Sequence, residues 1–109
     1  GPYSQAILTD GFLFCSGQIA INPKTNEFLN GSIQEQTLQV MKNISELLKA
    51  SGYSFDDVIK TTCFLADMAD FGEFNKIYAE YFVSSPARSC VQAQLPKKAK
   101  VEVEIIAKK

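Results

Sequence analysis

From Ser32 to Gly52 the apolar residues Leu38, Met41, Ile44, Leu47 and Leu48 recur at helical spacing, while the flanking segments read as extended chain. Ser32 with Glu35 has the pattern of a capping box, and Gly52 suits a left-handed C-terminal cap, so this helix is bounded at both ends. Ahead of it, Ala6–Leu8, a Thr9-Asp10-Gly11 turn and Phe12–Ile21 read as a β-hairpin. Asn22-Pro23-Lys24-Thr25-Asn26 forms a second turn, and Glu27–Leu29 a short returning strand. Behind the helix, Tyr53–Asp57 connects to a buried strand, Val58–Ala66, rich in β-branched and aromatic residues. A second helix opens at the cap-like pair Asp70 and Glu73 and sets Phe71, Phe74, Tyr78, Tyr81 and Phe82 on one face, a core stripe rather than a cofactor site. Ser84-Ser85-Pro86 breaks it; Ala87–Ala93 and Val101–Ala107 are strands separated by a turn at Leu95–Lys98. Sheet, helix, strand, helix and two strands imply a single α+β domain over residues 1–109, with a mixed sheet and both helices packed on one face. The other sheet face then needs a cover, which a symmetric oligomer would provide.

Composition narrows the chemistry. No apolar stretch approaches the roughly 18 residues of a membrane helix, and no basic-then-apolar signal segment opens the chain. Gly1-Pro2-Tyr3-Ser4-Gln5 already reads as a turn entering a strand, which leaves room for a short leader ahead of it. With 11 basic and 12 acidic residues the chain lacks the basic footprint of a nucleic-acid binder; Lys97, Lys98 and Lys100, with Lys108 and Lys109, read as a solvated turn and tail. Cys15, Cys63 and Cys90 are odd in number and widely spaced, a poor disulfide framework and a poor zinc site, so a reducing cytoplasm is expected. Histidine is absent, which removes Ser-His and Cys-His nucleophilic catalysis and most zinc enzymes. No Gly-rich phosphate loop or dinucleotide fingerprint is present.

A few residues remain as candidates. Arg88 is the only arginine beside ten lysines, and its planar fork can hold a carboxylate in a bidentate manner; a structural ion pair is the alternative. Along the last strand Val101, Val103 and Ile105 point one way, and Glu102, Glu104 and Ile106 the other. Such a glutamate pair is usually a solvated sheet face, and gains a role only if one of the two enters a cleft with Arg88. Cys90 and Gln92 share the face of Arg88, with Ser89, Val91 and Ala93 opposite; Cys90 is a small packing residue or a thiol near positive charge. Gly17 inside a strand suggests a bulge or close backbone approach, and Ser16 beside it can supply a hydrogen bond.

Several segments together resemble the reactive intermediate deaminase family, also called Rid or YjgF. They are Gly1-Pro2-Tyr3-Ser4-Gln5-Ala6, Phe14-Cys15-Ser16-Gly17-Gln18-Ile19, the aromatic helix from Asp70-Phe71 to Tyr81-Phe82 with Asn75, Pro86-Ala87-Arg88-Ser89-Cys90-Val91, and Leu95-Pro96-Lys97 through Val101-Glu102-Val103-Glu104. They span nearly the whole chain in family order. Two departures stand out: the segment from Cys90 to Leu95 is one residue shorter than in many relatives, and Asn26 stands where relatives often have glycine.

The resemblance implies a chorismate-mutase-like fold and a homotrimer with sites in the clefts between subunits. It implies that Arg88 binds the substrate carboxylate and that Glu102, rather than Glu104, positions the hydrolytic water. Tyr3 and Ser16 would line the pocket, while Gly17 and Cys90 would offer backbone contacts. The implied reaction is hydrolysis of 2-iminobutanoate or 2-iminopropanoate, or their enamines, to 2-oxo acids and ammonia, with no metal or organic cofactor. Two other readings stand beside it: a non-catalytic module for small carboxylates or a stress chaperone, and an endoribonuclease or translation inhibitor.

Overall fold

Asp10 and Gly11 both adopt left-handed φ values, 52° and 78°, the backbone of a tight turn matched to the twist of paired strands. They join β1 (Ala6–Thr9) to β2 (Phe12–Gln18), which pair antiparallel. The computed structural model describes residues 2–109; Gly1, which begins the expected opening turn, lies outside the described residues.

The expected long strand to Ile21 is shorter than its sequence suggests. The ladder between β2 and the last strand shifts register between Cys15 and Gln18, and β2 ends there. Past this bulge the chain leaves the sheet, and β3 (Ile21–Asn22) pairs with β4 (Glu27–Phe28) as a separate two-stranded ribbon. Asn43 donates its side-chain amide to the Ile19 and Ile21 carbonyls at 3.3 and 2.8 Å, replacing ladder bonds there. Asn26 closes the ribbon at φ 60°, a conformation asparagine tolerates.

Helix α1 (Ile33–Ala50) begins with the expected reciprocal cap: Glu35 N–H donates to Ser32 Oγ at 3.1 Å, and Ser32 N–H to Glu35 Oε1 at 2.9 Å. These bonds hold the Glu35 carboxyl below its usual range. Its buried side differs from the expected stripe. Ile33, Gln36, Thr37, Val40, Met41, Ile44 and Leu48 face inward, and Leu38 faces out. Gln36 enters the core because its amide has partners there, donating to Gly31 O at 3.0 Å and accepting from Lys100 N–H at 3.0 Å, whereas the buried Thr37 hydroxyl finds no partner among the described residues.

After a single turn of 3₁₀ helix at Phe55–Asp57, β5 (Val58–Leu65) crosses the middle of the molecule. Helix α2 (Phe71–Tyr81) follows a second such turn, in which Asp67, not Asp70, accepts from Ala69 N–H at 2.9 Å; Asp70 makes no side-chain cap bond. Phe74, Tyr78 and Phe82 are buried, whereas Phe71 and Tyr81 lie at the core margin. Complete burial of a ring such as Phe74 stabilises by roughly 1.5–3 kcal/mol. α2 supplies the crossover that a parallel pair requires, joining β5 to β6 (Ala87–Gln92). A turn at Pro96–Lys98, with Lys97 and Lys98 both at φ 55°, leads into β7 (Val101–Lys108).

The main sheet runs β1-β2-β7-β5-β6, antiparallel except for β5 and β6, with β1 and β6 at its edges. Leu13, Cys15, Thr61, Cys63, Leu65 and the odd-numbered residues from Val101 to Ala107 are buried beneath the helices. The opposite face carries Ile7, Phe14 and Val91, all well exposed, together with Phe64, Glu102, Glu104 and Ile106. This is the uncovered face that the element order predicts.

Candidate functional site

Arg88 stands on an edge strand, with its side chain turned to the helical side of the sheet. Its partner in register is Thr61, whose side chain is buried under α2. Two elements therefore set the guanidinium. Asn75 Oδ1 accepts from Arg88 Nη1 at 2.7 Å, and the rings of Tyr78 and Phe71 lie 4.6 and 5.4 Å from the guanidinium carbon. Tyr78 is itself fixed by a 2.7 Å hydrogen bond with Thr61 Oγ1, and burial raises its phenol above the ordinary value. Among the described residues Arg88 donates only to Asn75 and meets no carboxylate, so its remaining N–H groups are open to an anion. Among the described residues Arg88 is therefore not half of an ion pair. Asn75 entered the sequence reading only through the family resemblance, and Phe71 and Tyr78 only as core; the guanidinium contacts of all three were missed. One edge of the aromatic stripe grips the arginine.

Cys90 lies two residues along the same face and directly beside Cys63. Burial raises the Cys90 thiol, and the neighbouring Arg88 charge opposes this without reversing it. Burial pushes Cys63 up to about 12 and Cys15 up to about 11. All three thiols are neutral at physiological pH, which leaves none as a ready nucleophile.

Glu102 belongs to the other side. Alternation along β7 puts it on the face opposite Val101 and Val103, half-buried beside Phe64. Burial raises its carboxyl above the ordinary carboxylate range, and the Glu104 charge adds to the effect. The bulge in β2 makes its seat: a side chain at Gly17 would overlap the Glu102 carboxylate, so the missing Cβ lets carboxylate and backbone touch. A raised, partly desolvated carboxyl is suited to holding water and exchanging protons with it.

Glu102 opens into a cleft of about 820 Å³ that also includes Tyr3, Ser16, Gly17, Gln18 and Lys97. Ser16 fastens the chain entering β1 to this cleft, donating from Oγ to Ser4 O at 2.6 Å and from N–H to Gln5 O at 2.9 Å. Tyr3, held just ahead of that clamp, keeps 63% of its surface exposed. Gln18, which the sequence reading quoted only within a longer segment, is buried at the rear of the bulge. The structure thus groups Tyr3, Ser16, Gly17 and Glu102, and separately Arg88 and Cys90. Within one copy Arg88 and Glu102 lie on opposite sheet faces, with β5 between their strands. Among the described residues no group of three His, Cys, Asp or Glu side chains could hold a metal ion.

The family model described as endoribonuclease L-PSP matches residues 1–109. Over 109 residues the chain is 46% identical to human 2-iminobutanoate/2-iminopropanoate deaminase, covering 98% of this chain and 80% of that protein. It is 52% identical to the chloroplastic Reactive Intermediate Deaminase A of Arabidopsis thaliana, covering 98% of this chain and 58% of that longer one. The crystal structure of YyfA, a Rid-family protein of unknown function from Yersinia pestis, superposes with a TM-score of 0.96 at 46% identity, over 100% of this chain and 89% of that one.

Proposed function

The chain belongs to the endoribonuclease L-PSP family, which includes the Rid deaminases, and from that membership and its site geometry we propose that it hydrolyses reactive 2-imino acids to 2-oxo acids and ammonia. The observation that carries this reading is a guanidinium held by Asn75, Tyr78 and Phe71 with its free N–H groups unpaired by any carboxylate among the described residues. A small anionic substrate with a single carboxylate fits that group.

In this reading Arg88 grips the carboxylate of 2-iminobutanoate or 2-iminopropanoate, and Glu102 holds a water against the imine carbon. The water oxygen bonds to the carbon of the protonated imine as the C=N π electrons move to nitrogen and neutralise it, while Glu102 takes the water's proton. The carbinolamine then collapses: Glu102 returns its proton to the amine nitrogen, the C–N bond breaks and ammonia departs as the C=O bond forms, and the hydroxyl proton passes to the Glu102 carboxylate and on to solvent. Imines hydrolyse readily in water, so positioning and modest proton transfer suffice. Tyr3 and Ser16 line the pocket, and Gly17 and Cys90 contribute backbone contacts. No step calls for a metal or organic cofactor.

Because Arg88 and Glu102 lie on opposite faces of one sheet, this mechanism requires Arg88 of one copy to meet Glu102 of another. A homotrimer with sites between subunits, closing over the apolar sheet face of Ile7, Phe14, Phe64 and Val91, satisfies both requirements at once. No helix of the described residues is long and apolar enough to cross a membrane, and the three neutral thiols suit a cytoplasmic location.

The test generates 2-iminobutanoate in situ with a threonine dehydratase and follows its loss against trapping by semicarbazide. Wild-type protein is expected to accelerate 2-oxobutanoate formation, and Arg88→Ala and Glu102→Ala to abolish the acceleration. A folded protein that leaves the background rate unchanged for several imino acids would overturn the deaminase reading in favour of a carboxylate-binding or chaperone module. The endoribonuclease activity in the family description would instead show as salt-dependent RNA binding.

A further inference from the structure

Gln18 is among the few polar side chains with almost no exposed surface, 9%. It follows the bulge that seats Glu102 and lines the same cleft. Both hydrogens of its amide nitrogen are used: Nε2 donates to Ser16 O and to Gln5 Oε1, each at 3.1 Å. Ser16 O is a backbone carbonyl and can only accept, so it fixes which end of the amide is NH₂ and which is oxygen. Gln18 Oε1 accepts from no donor among the described residues. Nor is it sealed away, since the one side-chain polar atom found both fully buried and without a partner among the described residues is Thr37 Oγ1. Gln18 Oε1 is therefore a fixed, unpartnered acceptor that is not fully enclosed, on a residue that lines the cleft.

We infer that Gln18 Oε1 is a specificity-determining group that accepts a hydrogen bond from the substrate's imine N–H, so that the site distinguishes the imine from its own 2-oxo acid product. The inference rests on the deaminase reading. A protonated imine carries N–H donors, whereas the oxo acid presents at the same position only an oxygen with lone pairs. A fixed acceptor attracts the first and repels the second. A site that merely gripped the carboxylate through Arg88 would hold substrate and product equally, and the product would linger. Gln18 supplies the difference, because its orientation is set before substrate arrives and a wrong ligand leaves its lone pairs unpaired.

The test compares wild type with Gln18→Met, which keeps length and removes the acceptor, in two measurements: kcat/KM for 2-iminobutanoate generated in situ, and Ki for 2-oxobutanoate as competitive inhibitor. The expected result is a 10- to 100-fold loss of kcat/KM with Ki unchanged within threefold or lowered. Equal losses in both measurements would assign Gln18 a purely structural part and overturn the inference, as would an unchanged kcat/KM. Wild type supplies an arm that needs no variant: 2-aminobutanoate, which bears N–H donors, is expected to inhibit at least tenfold more tightly than butanoate, and equal Ki values would overturn the proposal. Wild type that fails to accelerate imine loss would remove the deaminase reading itself. An active wild type with an indifferent Gln18→Met would remove only the inference.

Discussion

Two inactive variants are expected to restore each other's activity. Arg88→Ala lacks the carboxylate grip and Glu102→Ala lacks the water-holding carboxylate, and each alone is expected to be dead. The structure separates these residues across the thickness of the sheet and by the width of β5, farther than side-chain reorientation can close. The proposed site therefore draws Arg88 from one copy and Glu102 from another. In an equal, random mixture, a given site is intact only when its arginine donor is a Glu102→Ala subunit and its glutamate donor is an Arg88→Ala subunit. Each condition holds for about half of the subunits, so about one quarter of the sites recover wild-type composition. Co-expressing differently tagged variants, purifying assemblies that carry both tags and measuring imine hydrolysis per site would read this fraction directly. Selecting for both tags excludes pure assemblies, so the doubly tagged pool is expected somewhat above one quarter. Activity no greater than that of the separate parents, from assemblies shown to contain both chains, would refute the division of the site between copies.

Three further outcomes follow from particular contacts. Gly17→Ala puts a methyl where the Glu102 carboxylate rests; activity is expected to fall at least about tenfold with a stability loss of about 1–3 kcal/mol in urea titrations. Lys98 sits at φ 55°, so Lys98→Gly relieves left-handed strain and is expected to add about 0.5–1 kcal/mol, read as a raised Tm. Glu102 has a carboxyl raised by burial and by Glu104, so stability present while it is protonated is lost as pH rises through its folded value. Glu102→Gln is accordingly expected to be more stable than wild type at pH 7 by urea titration, with the advantage shrinking as pH falls through the raised folded value and gone below the ordinary carboxylate value of 4.5.

Local rules made much of this molecule readable. The Asp10-Gly11 turn, the Ser32–Glu35 cap and the alternation of β7 each depend on neighbours in sequence, and each is realised. The failures share a different origin. Phe12–Ile21 looks like one strand because nothing within it announces that Asn43, more than twenty residues away, will capture the Ile19 and Ile21 carbonyls. Leu38 looks like core and Gln36 like surface until the amide of Gln36 finds Gly31 and Lys100. In both cases a side-chain amide, half-buried at Asn43 and buried at Gln36, binds backbone outside its own helical turn and overrides apolar patterning. At the site, Arg88 was conspicuous as the lone arginine, but the Asn75 and Tyr78 contacts that orient it depend on how α2 lies over the sheet. Alternation alone offers Glu102 and Glu104 as equals. Their difference comes from the bulge beside Gly17, where one carboxylate finds a seat.

Both ends of the main sheet are open. β1 and β6 each pair on one side only, and the strand face between them is apolar at Ile7, Phe14 and Val91. A lone subunit therefore presents two edge strands unpaired on their outer sides beside an apolar surface, a template for indiscriminate strand addition that the proposed trimer would have to cover. Dilution or interface damage would then do more than silence the protein. In the proposed trimer it would also favour precipitation, so shelf life and activity are expected to decline together as the subunits separate.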